Sequence, residues 1–422
     1  MSARWNSLWV VVAIGLAGCG DSSEDSANTG GTSGSAGASG SAGTSGAGGT
    51  AGGTGGAAGN AGAGGTAGAA GAAGAAGSGG ATGWTTPACT SVKGTWAVRF
   101  TSDDGATIAP GDGALTGVAY TWGLAALDTP NVLVAEHAGR ILRSEDAGCT
   151  YKDLGVAPAS TTRLHAAPGG RAYGYQMNAS PMYLVKGQSI QVLKGPSGSI
   201  IGMGVSPTDG AWLRVADHDG QLWDSKDEGA SFQKVGNPAP KKCFYTVAFD
   251  PNDIDHAVCG TITDGTFTTF DGGKLWLEAS GDATYANAFS IAVSPVDGGV
   301  VWVEGFQLGW HNGQQIGPEG RRIWKSTDGG KTFIVALEAE KTTAKLFNGN
   351  LLAPDPVDPA VLYFTFGTPP VGGLTSESFL YRLDATGKVS EQRQGGIDSY
   401  DAIVFSPASP KTIYLGVSSE RP

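Results

Sequence analysis

From about residue 95 onward the chain reads as short apolar and polar alternations that break at prolines. FYTVAFDP, ending at Pro251, is followed at once by HAVCGTIT, and both runs are rich in β-branched and aromatic residues. Such a pair predicts two strands joined by a tight turn. The same break recurs at Pro130, Pro168, Pro207, Pro251, Pro295, Pro356 and Pro407, at intervals of 38, 39, 44, 44, 61 and 51 residues. A period near 40 with strand-like runs on both sides of each break predicts seven four-stranded units arranged in a ring. No segment of this region has the 3.6-residue periodicity of a helix.

A second phrase keeps step with the first. Residues 144–151 (SEDAGCTY), 225–232 (SKDEGASF), 269–276 (TFDGGKLW) and 326–333 (STDGGKTF) each carry a hydroxyl, an aspartate, a glycine and an aromatic at fixed offsets. Asp146, Asp227, Asp271 and Asp328 can fold a carboxylate back onto backbone N–H groups. The glycine two residues later supplies the positive φ of a tight turn. The phrase begins 14, 18, 18 and 31 residues after its proline, the last interval lengthened by an insertion between Gly305 and Gly320. In the second unit a shorter turn at Gly187 takes its place, and in the sixth Asp384 and Gly387 look like its remnant.

These phrases resemble the Asp-box, or BNR repeat, of sialidases, sortilin-type receptor domains, xyloglucanase-type hydrolases and photosystem assembly factors. The resemblance implies an all-β, seven-bladed β-propeller in which the four aspartates are structural turns, facing away from the ligand. The seventh unit has only two strands of its own, around Pro407. Residues 94–100 (GTWAVRF) read like the strand that follows such a turn, and they are expected to close the ring as the outer strand of blade seven. Cys89 then falls beside the first turn, and a Cys89–Cys149 disulfide is expected to latch the ring. Cys243 and Cys259 flank the Pro251 hairpin. A straight register sets them about four residues out of opposition, roughly 13 Å, and so predicts two buried thiols.

Ahead of the propeller the composition changes twice. Residues 1–18 hold a short basic start at Arg4 and an apolar run too short to span a membrane, ending in Leu16-Ala17-Gly18 before Cys19. This resembles a bacterial lipoprotein signal, with Cys19 lipidated and the outer membrane or cell surface as destination. Residues 19–86 are almost wholly Gly, Ala, Ser and Thr and hold 25 of the chain's 70 glycines. Such a segment cannot offset its ordering entropy and is expected to be a disordered tether reaching about 40 to 45 Å. The propeller domain is thus residues 87–422.

Composition removes several functions. The net charge is −11, of which about −9 belongs to the propeller, and no basic stripe is present, which excludes a nucleic-acid binder. Five histidines (His137, His165, His218, His256, His311) form no HxH or HxxxH pair and no cysteines have zinc spacing, so no metal or cofactor is expected. Arg140, Arg143, Arg163 and Arg214 lack the Arg-Ile-Pro signature of the sialidase arginine triad.

Strand alternation places the loops between second and third strands on the face opposite the turns. They carry Glu136 and His137; Gln176 and Asn178; Asp217, His218 and Asp219; Asp264; and Glu304. The long loops at residues 306–320 and 367–378 overhang them, and Phe306, Trp310 and His311 offer aromatic surface for sugar stacking or peptide capture. Two readings follow. One is a lipid-anchored, monomeric binding or scaffold module for a glycan or protein partner. The other is a glycoside hydrolase with two of Asp219, Asp264 and Glu304 as its carboxylate pair, which must face each other across a bound sugar at roughly 5 to 9.5 Å.

Overall fold

In the computed structural model the chain divides into residues 1–66 and a compact unit from Ala67 to Pro422. The structure describes residues 83–112, 119–159, 162–177, 179, 181–344, 346, 351–365, 377–395, 399–408 and 411–419. The expected signal segment, Cys19, Asn178 and most of the 367–378 loop lie outside these residues.

Seven antiparallel sheets form a seven-bladed β-propeller. Blade 1 is Gly123–Ala126, Leu133–His137, Arg140–Ser144 and Lys152–Val156, each strand paired with the next. Blades 2 to 6 repeat this order from Thr162–Ala167, Ile200–Val205, Val247–Asp250, Ala286–Val293 and Leu351–Pro354. All seven proline breaks fall in the turn between first and second strands. In blade 5 a segment of the blade 4–5 connection, Ser280–Gly281, adds a parallel pairing to Thr332–Glu338.

Blade 7 is made from both ends of the chain. Ser399–Phe405 and Ile413–Ser418 are joined by Val98–Thr101, with Val98 opposite Gly416 and Phe100 opposite Tyr414. The N-terminal strand therefore closes the ring as expected, but it takes the third position in the blade and precedes a turn instead of following one. The reason lies in residues 101–108 (TSDDGATI), a fifth hydroxyl-Asp-Gly phrase that ends in isoleucine instead of an aromatic. A single bridge from Phe100 to Ala109 stands in the fourth position.

The five turns share a common set of hydrogen bonds, except that Leu275 in the third has no hydroxyl to donate. In the first, Ser144 Oγ donates to Asp146 Oδ1 (2.8 Å) and accepts from the Gly148 amide (2.9 Å), while the Thr150 amide and hydroxyl donate to the two carboxylate oxygens (2.9 and 2.7 Å). Thr101 and Asp103 repeat every one of these contacts with Gly105 and Thr107. Asp384 keeps only part of the set, accepting from the amides of Thr386 and Lys388. Gly148 has φ 85°, and a Cβ there would meet the Tyr414 ring at 2.7 Å, so both the backbone and the neighbouring blade demand glycine.

Side chains also tie adjacent blades together near these turns. Asp128 accepts from the Gly169 and Gly170 amides (2.7 and 2.6 Å), Arg171 meets Glu228 (2.6 Å) and Arg214 meets Asp255 (2.6 Å). Further round, His256 Nε2 lies 3.0 Å from the Gly329 carbonyl, the Tyr363 hydroxyl donates to Asp104 (2.6 Å) and that of Tyr414 to the Ala147 carbonyl (2.8 Å). Six blade interfaces thus carry a directional contact over an apolar filling of large side chains, among them Trp302, Trp324, Tyr173 and Phe364.

Two disulfides are present. Cys89–Cys149 fastens the N-terminal segment to the first turn, as expected, beside hydrogen bonds from the Lys93 amide to the Cys149 carbonyl and from the Tyr151 amide to Lys93. Cys243–Cys259 corrects the expectation of two free thiols: their Cα atoms are 5.4 Å apart. The straight register fails because the chain bulges before Val247. Both the Phe244 amide and the Thr246 carbonyl bond to Gly260, so three residues gather opposite one and Cys243 is carried back over Cys259.

Candidate functional site

The face opposite the turns begins, in blade 1, with a tight turn at Ala138 and Gly139 (φ 48° and 76°). It brings the Gly139 amide to Glu136 Oε1 (2.8 Å), and the Thr162 amide of blade 2 reaches Oε2 (3.3 Å). Glu136 is 1% exposed, and burial raises its carboxyl to about 7 against the pull of those two amides. His137 Nδ1 lies 2.7 Å from Thr121 Oγ1, whose own proton goes to the Val417 carbonyl (2.7 Å). The ring therefore donates from Nδ1, and burial lowers its basicity. Both residues are seam-holders joining blade 1 to blades 2 and 7. Deeper in blade 2, burial followed by the nearby Arg163 lowers His165 to about 4, and its ring stacks on Tyr175.

In blade 3 Asp217 closes its own loop. Oδ1 accepts from the amides of Asp219 and Gln221 (3.0 Å each) and Oδ2 from the Trp223 indole (3.0 Å). His218 Nδ1 lies 3.2 Å from the Cys243 carbonyl.

The three acids expected to supply a carboxylate pair sit in unlike surroundings. Asp219 meets Lys242 (3.4 Å) and Asp264 meets Lys241 (3.3 Å), so two successive lysines of the blade 3–4 connection each hold one acid. Glu304 is 0% exposed, in mid-strand opposite Ser290 and Ile323.

What converges on this face is aromatic. His218 packs on Phe244 (5.9 Å), Phe244 on Tyr245 (4.8 Å) and Tyr245 on Phe289 (4.9 Å), an arc that crosses blades 3, 4 and 5. Phe244 is 42% exposed and stands at the end of the connection that carries Lys241 and Lys242. In blade 5 the insertion forms a small hairpin, Trp310–His311 against Gln314–Gln315, with Asn312 and Gly313 at its tip. His311 stacks on Tyr285 (4.5 Å, 29°) and anchors the hairpin, which leaves Trp310 63% exposed. Phe306 lies at its base, in the strand opposite Asn287 and Arg321. Sequence reasoning found Trp310, His311 and His218 but missed Phe244, Tyr245 and Phe289. The available signal was an aromatic pair beside a cysteine, just outside a strand.

Among the described residues no cluster of three His, Cys, Asp or Glu side chains could hold a metal ion. No described helix is long and apolar enough to cross a membrane.

Seven blades, a ring closed by the N-terminal strand and two disulfides define the class: a disulfide-bonded β-propeller suited to an oxidising, extracytoplasmic compartment. No model of a known protein family matches the chain. It belongs to the family of the dispase autolysis-inducing protein of Streptomyces mobaraensis, with which it shares 43% identity over 343 residues, 80% of this chain and 90% of the relative. Among solved structures it is similar to an ancestral GH74 enzyme (15% identity, TM-score 0.46, 68% of this chain and 40% of that one). It is also similar to YCF48 bound to D1 peptide (14% identity, TM-score 0.48, 78% of this chain and all of that one).

Proposed function

We propose that this chain is an extracytoplasmic binding protein whose partner is a protease, captured on the face opposite the hydroxyl-Asp-Gly turns and driven toward self-cleavage. The observation that carries this reading is the 43% identity to a protein whose name states that it induces autolysis of dispase, sustained over 90% of that protein. The site's chemistry agrees with it. The rigid aromatic arc and the projecting Trp310 are the kind of anchors that dominate protein interfaces. Lysines 241 and 242 add charge at the rim and, through Asp219 and Asp264, are held in place. By contrast, a glycosidase pair needs an exposed acid and base across one groove, and here two acids are bound to lysines and the third is enclosed in a strand. We read the five turns as Asp-boxes with a purely structural task, and Cys19 as the lipidated residue of an anchored chain on a flexible tether.

The test mixes the purified full chain with dispase and follows intact protease by denaturing gel and mass spectrometry. Faster loss of intact dispase than in protease alone, together with a measurable complex, supports the reading. Unchanged autolysis and no complex would overturn it.

A further inference from the structure

The seam between blades 6 and 7 contains a buried cation that pairs with no carboxylate among the described residues. Arg99, in Val98–Thr101, is 2% exposed and its Nε makes no hydrogen bond. Register fixes the direction of the side chain. Phe100 and its partner Tyr414 pack into the core shared with blade 1, so their neighbours Arg99 and Leu415 face the other way, toward blade 6. Leu415, Val417 and Tyr400 there join Ala353, Tyr363 and Leu380 of blade 6 in one cluster.

Two further polar groups meet Arg99 in this seam. Its guanidinium carbon lies 4.6 Å from the centre of the Trp96 ring; burial lowers the affinity of the guanidinium for its proton, and the Tyr400 hydroxyl is close enough to oppose that shift. Trp96 Nε1 and Tyr400 Oη are likewise enclosed without a hydrogen-bond partner among the described residues. Three described acids of blades 6 and 7 have partners of their own. Asp401 Oδ1 accepts from the Ser399 hydroxyl (2.8 Å), Asp104 Oδ1 accepts from Tyr363 (2.6 Å), and Asp355 is paired with Lys411. Guanidinium and indole N–H groups only donate, whereas the phenol both donates and accepts, so the cluster carries a positive charge and more donors than acceptors. Burying such a set is unfavourable unless an acceptor joins it.

We propose that Arg99, Trp96 and Tyr400 form a binding site for a small carboxylate anion at the interface that closes the ring. The planar fork of the guanidinium matches a carboxylate bidentately, and the indole and phenol complete a donor shell. Because the site lies between the strand from the N-terminus and a blade formed late in the chain, occupancy stabilises the closed ring by mass action.

Acetate is the probe. The melting temperature of the full chain is followed while sodium acetate replaces a bulky buffer sulfonate at constant ionic strength. The expected result is a saturable rise for the natural chain, absent in Arg99→Met and reduced in Tyr400→Phe. No rise, or an equal rise in all three proteins, would overturn the site; a response to chloride and none to acetate would overturn the carboxylate assignment. Should Arg99→Met fail to fold, Tyr400→Phe carries the comparison, since it removes one hydroxyl and leaves the ring of the side chain in place.

Discussion

Cys243 and Cys259 stand with Cα atoms 5.4 Å apart at the entrance to blade 4, and the bond between them pins the end of the connection that carries Lys241, Lys242 and Phe244. Cys89–Cys149 joins residues 60 apart in sequence, against 16 for Cys243–Cys259. Loop-closure entropy then assigns about 4 kcal/mol to the first and about 3 kcal/mol to the second. Replacing Cys89 and Cys149 by serine should lower the denaturant midpoint more than replacing Cys243 and Cys259. The second pair should do the greater damage to protease capture, since it frees the Phe244 connection. Denaturation without reductant, alongside the dispase assay, checks both halves.

Trp310→Ala and Phe244→Ala should weaken the effect on dispase at least tenfold, the ordinary consequence of losing about 1.4 kcal/mol or more at an interface anchor. Both residues are exposed, so melting temperature should stay within a degree or two. Equal loss of stability and activity would mean that these rings hold the fold and not the partner.

Arg214 spans blades 3 and 4. Its guanidinium meets Asp224 within its own blade (Nη2 to Oδ2, 2.9 Å) and reaches Asp255 in the next (2.6 Å). Arg214→Ala leaves the half-buried Asp224 without its cation and should cost about 3 kcal/mol, read as a lower urea midpoint.

Stability should depend on pH in two opposite ways. The Ser231 hydroxyl, followed by its amide and the Ser225 hydroxyl, holds Asp227 at about 2. Its folded value is depressed, so the contribution is complete above the ordinary aspartate value and is lost as pH falls toward 2. Asp103, Asp146, Asp271 and Asp328 shift in the same direction. Melting temperature should therefore drop between about pH 4 and 2, less steeply in Asp227→Asn.

Glu136 acts in reverse. Burial raises it from 4.5 to about 7, so the folded state holds its proton more tightly than the unfolded one, and stability declines as pH rises through that interval. At 1.36 kcal/mol per unit the decline amounts to at most about 3 kcal/mol. Glu136→Gln should flatten it, as measured by urea unfolding at pH 5, 6 and 7.

The propeller could be read from the sequence because its markers are local. Proline breaks a strand wherever it stands, and an aspartate two residues before a positive-φ glycine makes the same turn in five of the seven blades. Residues 101–108 escaped because their closing residue is Ile108 and because they lie far from the blade they complete. The Cys243–Cys259 bond escaped because a bulge is a backbone event that a straight register cannot anticipate. The aromatic arc is tertiary: Tyr245 and Phe289 meet only when blades 4 and 5 pack. Glu304 looked like an acid at a loop mouth, yet the strand Val301–Gln307 extends past it and seals it in the sheet.

The shared composition of blade 7 also sets a clock. Ser102 and Thr412 touch although 310 residues separate them in sequence. During synthesis Val98–Thr101 is made before Ile413–Ser418 and must wait for this partner. The other six blades need no such wait, but the ring remains open, with an unpaired edge exposed to proteases and to other chains, until both strands are present. Joining the two ends of the chain is therefore the last step in completing the ring.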